Sequence, residues 1–306
     1  MTEPTSSTTT RGQSADGPLR RQAVRAGTWL LRAFAAWLLL QPLLDAPRWQ
    51  LWLGVVVLLT GAMACTALAP RPPEREPVEV AAPVRGTWVA LNSPGSRVPA
   101  HGTRAYGQAY AVDVLVPAAV EPATAAHATP AVGWGVGARP QEFAAFGAPV
   151  LAAAAGTVVA TGARQRDHRA RNTWAGLLYL TFEGLVREVG GVRFILGNHV
   201  VVDHGDGVWA VYAHLRRASV RVRPGDVVAA GQQLGEVGSS GNTSEPHLHF
   251  QLMDRPRLVE AAGVPFRWRG IEVAHDVVAP RHGLPRAGEG EPGLPANGQV
   301  FRADLG

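Results

Sequence analysis

The sequence has no lysine and only one cysteine among its 306 residues. A single thiol excludes a disulfide within the chain, and it also excludes the cysteine-rich zinc sites of fingers and ribbons. Three common enzyme motifs are missing as well: the H-E-x-x-H helix of many zinc proteases, the G-x-S-x-G turn of serine hydrolases and the lysine-containing phosphate loop of NTPases. A metal site in this chain therefore has to be built from histidine, aspartate or glutamate.

Because lysine is absent, all 29 residues in the lysine-plus-arginine count are arginines, and the formal net charge is +5 at pH 7. A positive charge of this size suits anionic surfaces such as lipid headgroups or cell-wall polymers. The arginines do not form a basic patch interleaved with aromatic residues, as nucleic-acid-binding proteins often do. We therefore predict no nucleic-acid partner, and no pattern indicates an oligomeric state.

The first 69 residues predict a membrane anchor. Residues 1–25 are rich in Thr, Ser, Arg and Gly, which predicts a disordered, basic N-terminus. Residues 26–69 form a hydrophobic membrane segment, within which Trp49–Ala69 carries no charge and is long enough to cross a bilayer. Thr28–Leu44 is also apolar but contains an arginine and a proline, so one span and two spans both fit the sequence.

The number of spans decides where the rest of the chain lies. Arginines precede the apolar region, and the positive-inside rule then keeps the N-terminus in the cytoplasm. One span places the following domain outside the cytoplasm, whereas two spans return it. We expect one span, with the protein in the cell membrane and its C-terminal domain extracytoplasmic.

Beyond residue 69 the composition divides the chain into a linker, a domain and a tail. Residues 70–84 are rich in Pro and Glu and predict an extended linker. Residues 85–284 contain short apolar runs separated by Gly, Pro and Asn turns, which predicts an all-β domain. Residues 285–306 are rich in Gly and Pro and predict a flexible tail. The predicted strands are Thr87–Leu91, Ala109–Leu115, Pro149–Leu151, Gly156–Ala160, Leu177–Phe182, Val200–Val202, Val208–Tyr212, Leu234–Val237 and His247–Leu252.

Gly238–Leu252, with the sequence G-S-S-G-N-T-S-E-P-H-L-H-F-Q-L, leads two histidines into an apolar strand. Side chains two positions apart on a strand share a face, so His247 and His249 project together while Leu248 faces a core. An isolated H-x-H pair more often serves structure, through hydrogen bonds to the backbone. Here, however, three more residues of zinc-binding types stand at strand or loop edges: His214 in Y-A-H-L, His101 in P-A-H-G and Asp113 in A-V-D-V.

Together these motifs resemble the LytM/lysostaphin-type zinc endopeptidases. The resemblance rests on G-N-H-V at Gly197–Val200, on Y-A-H-L around His214, on R-P-G-D-V-V-A-A-G-Q-Q-L-G-E-V-G-S-S-G-N-T from Arg223 to Thr243, and on the following P-H-L-H-F. It implies a mainly antiparallel metallopeptidase domain of the β-sandwich or open-barrel type. It also implies a zinc cofactor and cleavage of peptide cross-links or stem peptides in bacterial peptidoglycan.

The resemblance also implies roles for individual histidines. Zinc peptide hydrolysis needs about three protein ligands and one open position, where a water molecule can be activated. His249 and Asp113 correspond to two of the ligands. His214 and His247 correspond to a catalytic pair that stays off the metal, one orienting or deprotonating the attacking water and the other stabilising the oxyanion.

The third ligand is where this chain departs from the family pattern. The family's first histidine stands four residues before the aspartate, and here that position is Ala109 rather than histidine. We assign His101 as the third ligand, because the glycine-containing stretch between it and Asp113 can form a loop that returns it to the metal. His127 or Glu121 on the next loop would be the substitute ligands.

Two other functions fit parts of the sequence. Some members of the resembled family have lost ligands and act as scaffolds or activators of other cell-wall hydrolases, and the missing histidine at position 109 is a step in that direction. Retention of the other four site residues favours an enzyme. Arg223–Gly235 also resembles the biotinyl and lipoyl carrier domains, but a carrier needs a lysine for cofactor attachment, and this chain has none.

Overall fold

The computed structural model describes residues 18–41, 47–117, 137–171, 173–277 and 292–304. In these ranges the chain forms four α-helices: α1 (Pro18–Leu40), α2 (Arg48–Leu68), α3 (Trp174–Gly190) and α4 (Val192–Leu196). The same ranges contain thirteen β-strands: β1 (Val78–Ala81), β2 (Gly86–Leu91), β3 (Val112–Leu115), β4 (Pro149–Leu151), β5 (Gly156–Gly162), β6 (Asn198–Asp203), β7 (Trp209–Leu215), β8 (Val227–Val228), β9 (Gln233–Glu236), β10 (Leu248–Met253), β11 (Phe266–Arg269), β12 (Ile271–Val277) and β13 (Gln299–Ala303).

Most of these strands join one antiparallel sheet. Among the described residues the sheet has nine strands in the order β12-β13-β2-β3-β10-β7-β6-β5-β8. Every neighbouring pair in it is antiparallel. β4 and β9 form a separate antiparallel ribbon, and β1 pairs with β11 in parallel. The prediction of a mainly antiparallel β-domain is confirmed.

Strand β10, near the middle of the sheet, shows how the sequence separates core from site. Leu248, Phe250 and Leu252 are fully buried in the larger hydrophobic cluster, where the Phe250 ring lies 5.4 Å from that of Tyr212. Burying an apolar side chain of this size stabilises a fold by about 1.5–3 kcal/mol. Because side chains alternate along a strand, the same spacing turns the two histidines of the H-x-H motif to the other face.

The run Leu177–Phe182, predicted from the sequence as a strand, lies in α3 instead. The Thr173 hydroxyl caps this helix and accepts a hydrogen bond from the Gly176 N–H at 3.0 Å. Directly after the run, Glu183 forms an i,i+4 ion pair with Arg187 at 3.1 Å. A short apolar run is compatible with a strand or a helix, and here the residues outside the run select the helix.

The N-terminal region also differs from the prediction. Residues 18–25, predicted to be disordered, form the first turns of α1, while residues 1–17 lie outside the described part of the chain. Ion pairs connect α1 to the segment after β10 and to α3. Arg21 Nη2 lies 2.6 Å from Asp254 Oδ2, and Arg32 Nη2 lies 3.5 Å from Glu188 Oε1.

The predicted membrane segment, residues 26–69, covers α1 from residue 26 onward and all of α2, and residues 42–46 between the two helices lie outside the described part of the chain. Among the residues that the structure describes, no helix has both the length and the apolar character needed to cross a membrane. The predicted span is therefore not found in this part of the chain.

The β-domain extends past both of its predicted ends. β1 lies inside the predicted linker and pairs with β11. β13 lies inside the predicted flexible tail, where it pairs with β2 and β12 in the main sheet. Phe301 of β13 is fully buried, and its ring lies 5.2 Å from that of Trp268. This burial fixes a strand in a segment whose Gly and Pro content indicated a tail. Residues 285–291 of that tail lie outside the described ranges.

Candidate metal centre and active site

Three neighbouring strands bring the site residues together. β10 lies between β3 and β7, and His249 is paired with Asp113 on one side and with Ala213 on the other. In a regular strand His214 would share the core-facing side of Tyr212. His214 instead has φ +62°, which breaks the alternation, and its ring centroid lies 5.8 Å from that of His249. Left-handed backbone at a non-glycine residue costs about 1–2 kcal/mol and is concentrated at functional sites.

His101, Asp113 and His249 form a compact cluster of ligand-type residues. One ligand atom from each lies within 4.8 Å of the other two. His101 Nε2 is 3.1 Å from Asp113 Oδ2, and His249 Nδ1 is 2.9 Å from Asp113 Oδ1. Two imidazole nitrogens and a carboxylate oxygen are a donor set that zinc uses, so these residues fit a zinc ion. The substitute ligands considered from the sequence, His127 and Glu121, lie outside the described residues.

A loop returns His101 to the cluster although it precedes Asp113 by 12 positions. The Ala100 N–H donates a hydrogen bond to the Ala109 carbonyl at 2.9 Å, which closes the loop. Gly107 lies within it at φ +75°, a left-handed value that glycine adopts readily. His101 is thereby brought close to position 109, where the family pattern has its histidine.

His214 and His247 lie beside this cluster, with their ring centroids 4.9 Å apart. His214 Nδ1 is 2.9 Å from the Ser240 carbonyl oxygen, and His247 Nδ1 is 2.8 Å from the Glu245 carbonyl oxygen. A carbonyl oxygen can only accept, so Nδ1 carries the proton in both rings and donates it. Nε2 of each ring is left to exchange a proton with a bound molecule. His247 Nε2 also lies 3.5 Å from Asp113 Oδ1.

Burial and neighbouring charges shift the pKa values of the site residues in different directions. Burial lowers the pKa of His214, and repulsion from His247 and His249 contributes to a pKa well below its usual range. Burial alone would lower the pKa of His247, but attraction to Asp113 outweighs it and leaves the pKa raised. Burial alone would raise the pKa of Asp113, but His101 and His247 hold it well below its ordinary value. Asp113 is therefore a carboxylate at neutral pH.

α3 and α4 form a wall of the site that the sequence analysis did not predict. The cavity over the histidines has a volume of about 370 Å³. An ion pair between Glu183 and Arg171 ties α3 to the β-domain, and Gly184 of α3 faces Asn242, whose side chain would lie 3.4 Å from an added Cβ. The cavity thus offers both apolar and polar contacts to a bound molecule. Its wall residues include Gln108, Leu180, Val192, Ile195, Leu196, Asn242, Thr243, Ser244 and Leu258.

Two polar side chains beside the cluster were also missed from the sequence. The Asn92 side-chain amide donates a hydrogen bond to Asp113 Oδ2 at 2.8 Å. Gln251 Oε1 lies 3.0 Å from His249 Nε2. Strand alternation alone could have found Gln251, because it follows His249 by two positions. No local pattern identifies Asn92, which reaches Asp113 only through the pairing of β2 with β3.

One segment of the chain matches a known protein family. Residues 178–261, which include His214, His247 and His249, match the model of Peptidase family M23. The chain is similar to the peptidoglycan DD-endopeptidase ShyA of Vibrio cholerae, with 39% identity over 71 residues, which is 22% of this chain and 16% of ShyA. It is also similar to the murein hydrolase activator EnvC of Escherichia coli, with 34% identity over 105 residues, or 32% of this chain and 24% of EnvC.

The chain is also similar to solved structures. The catalytic domain of the antimicrobial peptidase lysostaphin from Staphylococcus simulans has 25% identity to this chain, with coverage of 43% of this chain and 86% of that one and a TM-score of 0.26. The matches span between 13% and 24% of the curated relatives' own length. Within residues 178–261, the chain contains a Peptidase family M23 domain of the LytM/lysostaphin type.

Proposed function

We propose that the chain is a zinc-dependent endopeptidase that cleaves peptide cross-links or stem peptides of bacterial peptidoglycan. The observation that carries this proposal is the placement of two unlike groups around one cavity. Three ligand-type residues cluster on one side, and two imidazoles with an available Nε2 lie beside them. ShyA is named a peptidoglycan DD-endopeptidase, which supports the choice of substrate.

In this proposal zinc is held by His101 Nε2, the Asp113 carboxylate and His249 Nδ1. When bound, zinc supplies a Lewis acid that polarises the scissile carbonyl and favours deprotonation of the attacking water. One carboxylate and two neutral imidazoles leave a net positive charge at the centre. That charge favours the negative charge that develops on the carbonyl oxygen during hydrolysis.

His214 and His247 carry out the remaining steps. Because Nδ1 of each ring is bonded to a backbone carbonyl, the ring orientation is fixed and Nε2 faces the reacting groups. One Nε2 accepts a proton from the attacking water and delivers it to the leaving amine. The other, protonated at Nε2, donates a hydrogen bond to the oxyanion.

The proposal is tested with the zinc-loaded chain and purified peptidoglycan. We expect new amino termini to appear, to stop when a chelator removes the metal, and to return when zinc is restored. Hydrolysis that persists undiminished after complete metal removal would contradict the proposed chemistry.

We also propose that the domain acts on the extracytoplasmic side, because peptidoglycan, the proposed substrate, lies there. A reporter fused after Gly306 should be active outside the cytoplasm. A reporter active only in the cytoplasm would contradict this location.

The similarity to EnvC, which is named an activator, favours a second candidate function. Under this alternative the chain would bind another cell-wall hydrolase and increase its rate without cutting peptide bonds itself. The absence of histidine at Ala109 is the sequence feature that favours it. Stimulation of a partner hydrolase by wild type and by His214→Ala alike, with no amino termini released by the chain alone, would support the activator.

A further inference from the structure

We propose that Gln251 is a positioning residue that fixes the tautomer and ring orientation of His249, so that Nδ1 faces the metal centre as a free lone pair. This inference rests on the proposed zinc centre, though it does not require peptidase activity. Gln251 belongs to β10, two positions after His249, so both side chains lie on the same face of the strand. Gln251 is fully buried.

The orientation of the Gln251 amide is set by its neighbours. Gln251 Nε2 lies 2.8 Å from the Tyr106 carbonyl oxygen and 3.9 Å from the Met253 sulfur. Both of these atoms are acceptors, so the nitrogen end of the amide must face them. The oxygen end, Oε1, then faces His249 Nε2 at 3.0 Å.

This orientation decides which nitrogen of His249 carries the proton. Oε1 of a carboxamide has only lone pairs, so a hydrogen bond to it requires a proton on His249 Nε2. In the neutral ring Nδ1 is then unprotonated. His249 Nδ1 lies 2.9 Å from Asp113 Oδ1, another acceptor. Two acceptors this close need a proton or a metal ion between them, and in the proposed centre the metal takes that place.

The carbonyl that orients Gln251 belongs to the loop that also returns His101 to the cluster. Tyr106 and Gly107 have φ values of +59° and +75° in that loop. A Cβ added to Gly107 would lie 3.0 Å from Gln251 Nε2, so the backbone approaches the amide closely. The loop therefore positions one ligand directly and a second one through Gln251. Partners of this kind commonly change metal affinity by about 10–100-fold when they are removed.

The test compares three variants of the full chain. Gln251→Met keeps the side-chain volume but removes the acceptor for His249. Gln251→Glu keeps an acceptor for His249 Nε2–H but removes the donor to the Tyr106 carbonyl, so it separates the two contacts of Gln251. Gln299→Met is the matched control, because Gln299 is also largely buried and its Oε1 accepts the Ala296 N–H at 2.7 Å, in a strand outside the site.

Two quantities are measured on each variant: the zinc Kd by competition with a chelator, and the imidazole ¹⁵N signals of His249 in the zinc-free protein. The signals are assigned by their loss in His249→Gln. We expect Gln251→Met to bind zinc about 10–100-fold more weakly and to show a mixture of His249 tautomers. Gln251→Glu should keep the proton on Nε2 of His249, because its carboxylate accepts from that nitrogen, and Gln299→Met should keep both this proton and the wild-type Kd.

Several results would overturn the inference. The first is a Gln251→Met variant that keeps the wild-type zinc affinity and a pure Nε2–H tautomer of His249. The second is a Gln299→Met variant that loses as much zinc affinity as Gln251→Met. If Gln251→Met does not fold, the spectrum of the wild type tests the proposal, because a zinc-free His249 ring with a proton on Nδ1 and none on Nε2 contradicts it directly. A chain that binds zinc but cuts no peptidoglycan would end the proposed function and leave this comparison valid. A chain that binds no zinc is still tested by the tautomer measurement.

Discussion

Replacing Gly241 by alanine should show how much the backbone around His214 contributes to the site. Gly241 has φ +81°, and an added Cβ would lie 2.4 Å from Gly197 N and 2.5 Å from the Ile195 carbonyl oxygen. The preceding residue, Ser240, provides the carbonyl oxygen that lies 2.9 Å from His214 Nδ1. The segment that would have to move is therefore the one that orients the proposed catalytic ring.

Two effects determine the expected loss of stability. A left-handed backbone costs alanine about 1–2 kcal/mol relative to glycine. The added methyl group also overpacks against backbone atoms that cannot rotate away, which typically costs about 1–3 kcal/mol. Gly205→Ala is a matched control, because Gly205 also has φ +81° but an added Cβ would meet nothing within 4 Å. Only the first effect applies to Gly205.

Urea unfolding of both variants, each loaded with zinc, measures the difference. We expect Gly241→Ala to lose about 1–3 kcal/mol more stability than Gly205→Ala. Its rate of peptidoglycan hydrolysis should also fall, because the Ser240 carbonyl would move away from His214. Equal stability losses in the two variants would refute the packing argument. A destabilised Gly241→Ala with wild-type hydrolysis would refute the link to His214.

Further predictions concern the metal and the wall of the cavity. Alanine at His249 or Asp113 should abolish stoichiometric zinc binding, measured as metal content after gel filtration, because an open site with two ligands has too few donors. His101→Ala should do the same, and wild-type zinc content in that variant would exclude His101 as the third ligand. Burial alone would raise the pKa of Glu183, but hydrogen bonds and charge attraction from Arg187 and Arg171 together outweigh it, and the pKa is lowered. A lowered carboxyl pKa adds stability above the unfolded-state value that is lost as the pH falls through the folded-state value. Acid unfolding of Glu183→Gln should therefore show a weaker pH dependence than wild type, and an identical profile would contradict this assignment.

The face of β10 that carries the site could be predicted from the sequence because the pattern is local. His247 and His249 are separated by one apolar residue, and alternation on a strand requires that they share a face. The position of the His214 side chain was harder to predict from the sequence. In a regular strand its ring would face the core, and only its φ of +62° brings it to the site. The motif located this histidine through family resemblance, whereas its geometry depends on a backbone angle that composition does not reveal.

The features that the sequence did not predict depend on contacts between distant segments. Leu177–Phe182 is apolar enough for a strand, but it lies in α3, whose Glu188 pairs with Arg32, 156 positions earlier. β13 is a strand because Phe301 packs in a core built by residues far earlier in the chain. The role of Gln251 depends on the carbonyl of Tyr106, which lies 145 positions away. None of these contacts leaves a periodic pattern that a short sequence window could detect.

The central claim is that His214 and His247 act on substrate without holding the metal, and the rate of amino-terminus release per bound zinc tests it most directly. The rate would be measured for wild type, His214→Ala and His247→Ala. His204→Ala is the control, because its Nδ1 also contacts a backbone carbonyl, that of Ala155 at 2.8 Å, but His204 does not line the cavity. The account predicts full zinc content in all four proteins, a wild-type rate in His204→Ala and a rate about 10²–10⁴-fold lower in the other two variants. A zinc-loaded wild type that releases no amino termini from peptidoglycan, or site variants that cut at the wild-type rate, would contradict it.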